Sequence, residues 1–123
     1  MVFLIAEDNV RMRESIKRYL STKIPDHHTI YEAGDGGEAV EIYERVHPDW
    51  VLMDIAMEPM DGLVASRAIM AAHPDARIVM LTNFDEARYR TAAAEIGARA
   101  FILKEHLSDI VRTISTNLDN GTF

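Results

Sequence analysis

A chain of 123 residues with 48% hydrophobic and 27% charged side chains can bury one sizeable core and is too apolar to be largely disordered. Its formal charge of −7 disfavours direct binding to a nucleic-acid backbone, and the absence of cysteine excludes disulfide staples. No apolar run reaches membrane-spanning length, and the first one stops at Glu7 and Asp8, too short for a signal peptide; the expectation is one cytoplasmic domain over residues 1–123.

The first strand is Val2–Ala6, and Asn9 can cap a helix in which Met12, Ile16, Tyr19 and Leu20 share one face. Pro25 and Asp26 close that unit. Residues 28–33 (HTIYEA) alternate enough for a second strand, followed by a turn at Gly34, Asp35, Gly36 and Gly37. A helix over 37–46 turns Ala39, Val40, Tyr43 and Val46 inward, and His47-Pro48 ends it. Trp50, Val51, Leu52 and Met53 read as a third strand buried on both faces, with Asp54 directly behind it. Beyond a loop reaching Gly62, a helix over 63–72 presents Val64, Ala68 and Ile69 as its inner stripe, and His73-Pro74 repeats the earlier stop. Residues 76–81 form a fourth strand. A helix over 85–96 has an acidic first turn suited to its dipole and ends at Gly97. Residues 99–103 form the fifth strand, and Leu107, Ile110, Val111, Ile114 and Leu118 mark a last amphipathic helix.

Successive βα units joined by right-handed crossovers give a doubly wound α/β fold, a parallel sheet with helices on both faces and every strand's carboxyl end on one edge. A ligand crevice opens at that edge. The residues standing there are Glu7 and Asp8 after the first strand, Asp54 after the third, Thr82 after the fourth and Lys104 after the fifth. In a doubly wound sheet of order 2-1-3-4-5, where the first and third strands are neighbours, Glu7, Asp8 and Asp54 would crowd together. Carboxylates ~4–6 Å apart repel by roughly several kcal/mol at an effective dielectric near 20, so a proton or a cation must intervene. A hard divalent cation with oxygen ligands, Mg²⁺, suits such a site and shares it with phosphate oxygens. Lys104 and Thr82, on the other side of Asp54, add a positive charge and a hydroxyl donor. The set fits phosphoryl transfer onto Asp54 as nucleophile.

Over essentially its whole length the chain resembles a response-regulator receiver domain of two-component signalling, CheY-like, through Glu7, Asp8, Asp54, Thr82 and Lys104. The resemblance implies the flavodoxin-like (βα)5 receiver fold with a five-stranded sheet of order 2-1-3-4-5. It implies Asp54 as phosphoacceptor with Thr82 and Lys104 beside it, and Mg²⁺ held by Asp8, Asp54 and the Ala56 carbonyl, with Glu7 acting mainly through water. Phe101 aligns with the aromatic switch, which in the family moves inward when the Thr82 hydroxyl shifts toward the phosphoryl group. The implied phosphodonor is a histidine kinase or histidine phosphotransferase, and homodimerisation on phosphorylation is a family trait. Such a domain is a switch rather than an enzyme with turnover. The Leu103-Lys104-Glu105 ending and the last helix look most like receivers of LuxR/NarL-type transcription regulators, which would place a DNA-binding output outside this chain.

Three positions depart from the family's pattern. Met57-Glu58-Pro59 replaces proline directly after the methionine, Glu105 replaces the proline that often follows the lysine, and Asn83 stands where a smaller residue is usual. A cis peptide to Glu105 would cost about 3–4 kcal/mol, so a trans bond is expected.

Taken singly, each site residue has an ordinary explanation as a cap, turn or strand end, and it is their joint placement at four strand ends that favours the functional reading. Asp35 and Asp61 read as turn chemistry. His27, His28, His47, His73 and His106 lack metal-ligand spacing, and His47 and His73 suit helix C-termini. Met53, Met57, Met60, Met70 and Met80 are fillers of core or loop. Arg88, Tyr89 and Arg90 form a solvated face, on a surface where receivers dock partners. One alternative is a receiver-like binding module acting without phosphorylation. A Mg²⁺-dependent aspartyl-phosphate phosphatase is another, but it would carry a second aspartate where this chain has Ala56. A flavin carrier would need a Ser/Thr/Gly phosphate loop where the chain reads Ala6-Glu7-Asp8-Asn9.

Overall fold

Alternation along the strands decides the architecture. In the computed structural model, which describes residues 1–24 and 28–119 (side chains of 117–119 excepted), five strands lie parallel. They are β1 (Val2–Ala6), β2 (Thr29–Ala33), β3 (Trp50–Asp54), β4 (Ile78–Thr82) and β5 (Ala100–Leu103), in the order β2-β1-β3-β4-β5. Helices α1 (Val10–Lys23), α2 (Gly36–Val46), α3 (Gly62–Ala72), α4 (Ala87–Ile96) and α5 (Ser108–Asp119) alternate with them, and a 3-10 turn, Lys104–His106, precedes α5. The expected stop at Pro25 and Asp26 and the inward Leu118 lie outside the described residues.

Successive side chains of a strand point to opposite faces, so each strand feeds two cores. Leu4, Ala6, Val51, Met53, Ile78 and Met80 pack with Ala39, Ile42 and Tyr43 of α2, Ala65 and Ile69 of α3, and Ala93 of α4. Phe3, Ile5, Trp50, Leu52, Val79 and Leu81 pack on the other face with Ile16 and Leu20 of α1 and Ile110 and Ile114 of α5. Every residue of β3 and β4 is buried, which leaves the polar ends of these strands, Asp54 and Thr82, at the floor of the carboxyl edge.

Two helix faces differ from expectation. In α3 the inner stripe is Ala65, Ser66 and Ile69, while Val64 is 45% exposed and Ala68 is exposed too. Gly62 causes this: its backbone packs so closely on the end of β3 that a Cβ there would collide with the Asp54 carbonyl oxygen. That contact fixes the helix rotation and turns Val64 outward. In α2 Ile42 is buried, and Val40 and Val46 sit half-buried at the border of the stripe.

Caps set most helix starts. Asn9, Asp35 and Asp61 each accept a hydrogen bond from the amide three residues on, at 2.9 Å, so the two aspartates read as turn residues are N-caps. Helix α4 begins only at Ala87, with no acid in its first turn. Glu86 is its N-cap residue, with Asp85 before it, and their carboxylates accept from the Arg88 and Arg90 side chains rather than from the helix amides. Gly97 ends α4 in the left-handed region at φ 95°. His47 and His73 are the C-caps of α2 and α3, as their positions predicted. Met53, Met57 and Met80 are buried and Met60 and Met70 half-buried, as fillers should be. No helix among the described residues is long and apolar enough to cross a membrane.

Candidate functional site

The site is built where β1 and β3 end side by side, with Ala6 opposite Met53 in the parallel register. Glu7 continues the line of β1, its amide donating to the Ala33 carbonyl at 3.0 Å, and its side chain is 1% exposed. The Asn9 amide donates to Glu7 Oε2 at 3.1 Å, and Arg13 Nη1 to the Glu7 carbonyl at 2.7 Å. Asp54 is the last residue of β3 and only 2% exposed. Its Oδ1 accepts the Ala56 amide at 3.3 Å, while its buried Oδ2 has no hydrogen-bond partner.

Lys104 lies between these acids. Its Nζ is 3.0 Å from Asp54 Oδ1 and 2.6 Å from Glu7 Oε1, the second contact an ion pair without hydrogen-bond alignment. Burial alone would lower the lysine's pKa, but the two carboxylates outweigh it and hold the ammonium above its ordinary value. Lys104 therefore stays charged at neutral pH. The sequence placed it on the far side of Asp54 and left relief of the crowding to a divalent ion; in the structure the lysine takes part of that role, because its long stem reaches back from the turn after β5.

One ammonium faces more than one carboxylate. Carboxylate oxygens of Glu7, Asp8 and Asp54 lie within 4.8 Å of one another, the one such acidic group among the described residues. Asp8 is exposed at the rim, and its pKa is raised by desolvation and by the neighbouring Glu7, against the pull of its own backbone and Lys104. Excess negative charge, all-oxygen donors and the unpartnered Asp54 Oδ2 fit a hard cation. A cleft of about 500 Å³ opens beside the cluster, lined among others by Asp8, Ala56, Glu58, Asp61 and Tyr89. Glu58–Pro59, in one of the three positions that depart from the family's pattern, is the one cis peptide among the described residues; the bond to Glu105 is trans, as expected.

Thr82 closes β4 one residue past Leu81, the register partner of Asp54. Its hydroxyl oxygen accepts the Phe84 amide at 3.1 Å. Phe101 sits half-buried in β5 opposite Met80, against the core of the α2, α3 and α4 face. All predicted site residues thus gather at one sheet edge, apart from Phe101, which lies one strand out and below it. Sequence reasoning missed Arg13 beneath Glu7, the Phe84 amide on Thr82, and Arg90, whose guanidinium carbon lies 4.6 Å from the Phe101 ring centroid. Only Arg90 had left a trace, in the run Arg88, Tyr89, Arg90 read as a solvated face.

Residues 3–115 match the family described as response regulator receiver domain. The transcriptional regulatory protein DegU of Brevibacillus brevis is 31% identical over 121 residues, covering 98% of this chain and 51% of that protein. The chemotaxis protein CheY of Listeria monocytogenes is 39% identical over 108 residues, 88% of this chain and 89% of its own length. A chain of the CheX-CheY-BeF3-Mg2+ complex of Borrelia burgdorferi superposes with a TM-score of 0.87 at 25% identity, covering 96% of this chain and 89% of that one. The chain spans about half the length of DegU and 89% of the Listeria CheY.

Proposed function

The chain belongs to the response regulator receiver domain family, and from that membership we propose that it accepts a phosphoryl group on Asp54 and passes the event on as a conformational switch. The observation that carries this reading is the Asp54 carboxylate, buried at a strand end with Oδ1 held by Lys104 and the Ala56 amide and Oδ2 uncommitted. A carboxylate oxygen of Asp54 attacks the phosphorus of a phosphohistidine on a histidine kinase or histidine phosphotransferase. The P–N bond breaks and the imidazole leaves. Lys104 keeps its charge throughout and pairs with a phosphoryl oxygen, and the Thr82 hydroxyl donates to another. Asp8, Asp54 and the Ala56 carbonyl would hold Mg²⁺, with Glu7 acting through water; bound there, the ion supplies charge neutralisation of the phosphoryl oxygens. The Borrelia complex contains BeF3 and Mg2+, which supports this choice of ion.

The same reading makes Thr82 and Phe101 the switch. To reach the phosphoryl group, the Thr82 hydroxyl leaves the Phe84 amide, and Phe101 moves toward the space it vacates. The domain runs through no catalytic cycle beyond its own phosphorylation and slow hydrolysis. We take residues 1–123 as one receiver domain acting in the cytoplasm, with homodimerisation on phosphorylation. Similarity to DegU, a transcriptional regulatory protein about twice as long, supports a DNA-binding output beyond this stretch.

Incubation with acetyl phosphate and Mg²⁺, followed by intact-mass spectrometry, tests the reading. One labile phosphoryl adduct is expected, absent in Asp54→Asn and without Mg²⁺. A folded wild-type protein that acquires no adduct would overturn it.

A further inference from the structure

Arg90 pairs with Asp85 and not with Glu7, Asp8 or Asp54, yet it joins the two parts of the switch. It lies in the first turn of α4, and its Nε donates to Asp85 Oδ1 at 2.5 Å, in the segment that follows Thr82. Its guanidinium carbon stands 4.6 Å from the centroid of the Phe101 ring. A guanidinium is planar and weakly hydrated, so it stacks on an aromatic face where an ammonium does so poorly. Asp85 is the tether: its hydrogen bond is one reason the Arg90 charge is held more firmly than usual and the Asp85 carboxyl lies below its ordinary range. Ring, guanidinium and carboxylate thus form a bridge from β5 to the loop after β4.

We propose that Arg90 is a positioning residue for the switch: stacked on Phe101 and tethered to Asp85, it holds the ring at its half-buried resting place and sets how far the molecule must be pushed to reach the active arrangement. The inference rests on the reading of Phe101 as the switch residue. Its logic is linkage. Contacts made only in the resting arrangement lower the affinity of whatever stabilises the other one, by the same factor that they favour rest. With the Arg90 and Asp85 side chains 51% and 53% exposed, the factor is modest. Losing the stack should tighten binding of a phosphoryl mimic about threefold. Arg90→Lys, which keeps the charge and loses the planar stack, should fall between wild type and Arg90→Ala.

The experiment uses the whole chain labelled with 4-fluorophenylalanine, the Phe101 resonance being assigned through Phe101→Leu. Beryllofluoride with Mg²⁺ is titrated into wild type, Arg90→Ala and Arg90→Lys, following both the ¹⁹F shift and the apparent Kd. In Arg90→Ala the unliganded Phe101 resonance should move toward the beryllofluoride-saturated position of wild type, and the Kd should fall about threefold. If wild type responds while Arg90→Ala shows an unchanged resonance and Kd, the positioning role is refuted and the phosphoacceptor reading stands. Failure of wild type itself to respond sinks both.

Discussion

Two groups of three charges in this protein are near inversions of each other. Around Lys104 lie two carboxylates, Glu7 and Asp54, at 2.6 and 3.0 Å. Around Glu32 lie two cations, Arg13 and Lys17, at 2.9 and 3.1 Å. The distances are alike and the surroundings are not. Side chains of the first group are 1–7% exposed, those of the second 19–33%. Glu14, 3.3 Å from Lys17, and water together answer the surplus charge of the second, and pairs of that kind contribute about 0–1 kcal/mol. The buried surplus has no such outlet, since taking each ion out of water costs several kcal/mol and one ammonium cannot offset two acids plus the nearby Asp8. Such a group adds little stability. It makes a place where a cation, or a group bringing one, is needed.

Removing Lys104 should separate the two groups most. Lys104→Met leaves Glu7 and Asp54 buried without their counter-ion, and loss of one partner from a buried pair costs about 3 kcal/mol. In a chain of this size that is a fall in Tm of about 10 °C in metal-free buffer. Thermal melts followed by circular dichroism read it directly. A Tm unchanged within a degree or two would mean that the buried group behaves like the surface one, and the contrast would collapse.

Asp54→Asn tests the surplus rather than the pair. It leaves Glu7 and Lys104 one to one, so the metal-free variant should melt no lower than wild type and up to about 1 kcal/mol more stably. The stabilisation that Mg²⁺ gives wild type, which grows as RT ln(1 + [Mg²⁺]/Kd), should shrink in the variant. Paired melts with and without about 10 mM Mg²⁺ separate the two effects. A clear fall in the metal-free Tm would show that Asp54 is a structural partner of Lys104 first.

The edge residues were legible because a charge behind an apolar strand is conspicuous: Asp54 after Trp50, Val51, Leu52 and Met53 can stand only at a strand end. Strand order was not legible in this way and came from the family likeness, since local pattern does not say which strands are neighbours. Side-chain reach was also hidden. Nothing in the spacing of Lys104 says that its ammonium settles between Glu7 and Asp54, or that Arg90 lies over a ring eleven positions later. The error at Val64 has a similar source. Periodicity offers two adjacent apolar rows on α3, and the choice between them is made by Gly62 against the end of β3, a contact between distant backbones. Val64 then stays exposed at little cost, as scattered surface apolar residues do.

The surface group offers the smallest and most condition-dependent effect. Burial alone would raise the Glu32 pKa, but hydrogen bonds from Lys17 and Arg13 outweigh it and hold the carboxyl below its ordinary value. A carboxylate whose folded pKa is depressed adds stability above its unfolded value, near 4.5, and that stability is lost as pH falls through the lower folded value. Glu32→Gln should therefore cost about 0.5 kcal/mol at neutral pH and low salt. The gap from wild type should narrow as the buffer is taken below pH 4.5, and it should also shrink in about 1 M salt, where exposed charges are screened within about 3 Å. Urea titrations of both proteins at two pH values and two salt concentrations check the sign. The same salt step should leave the Lys104→Met deficit largely in place, because ions do not reach between side chains that are 1–7% exposed. Equal salt sensitivity in the two variants would show that the buried group is wetter than its exposure indicates.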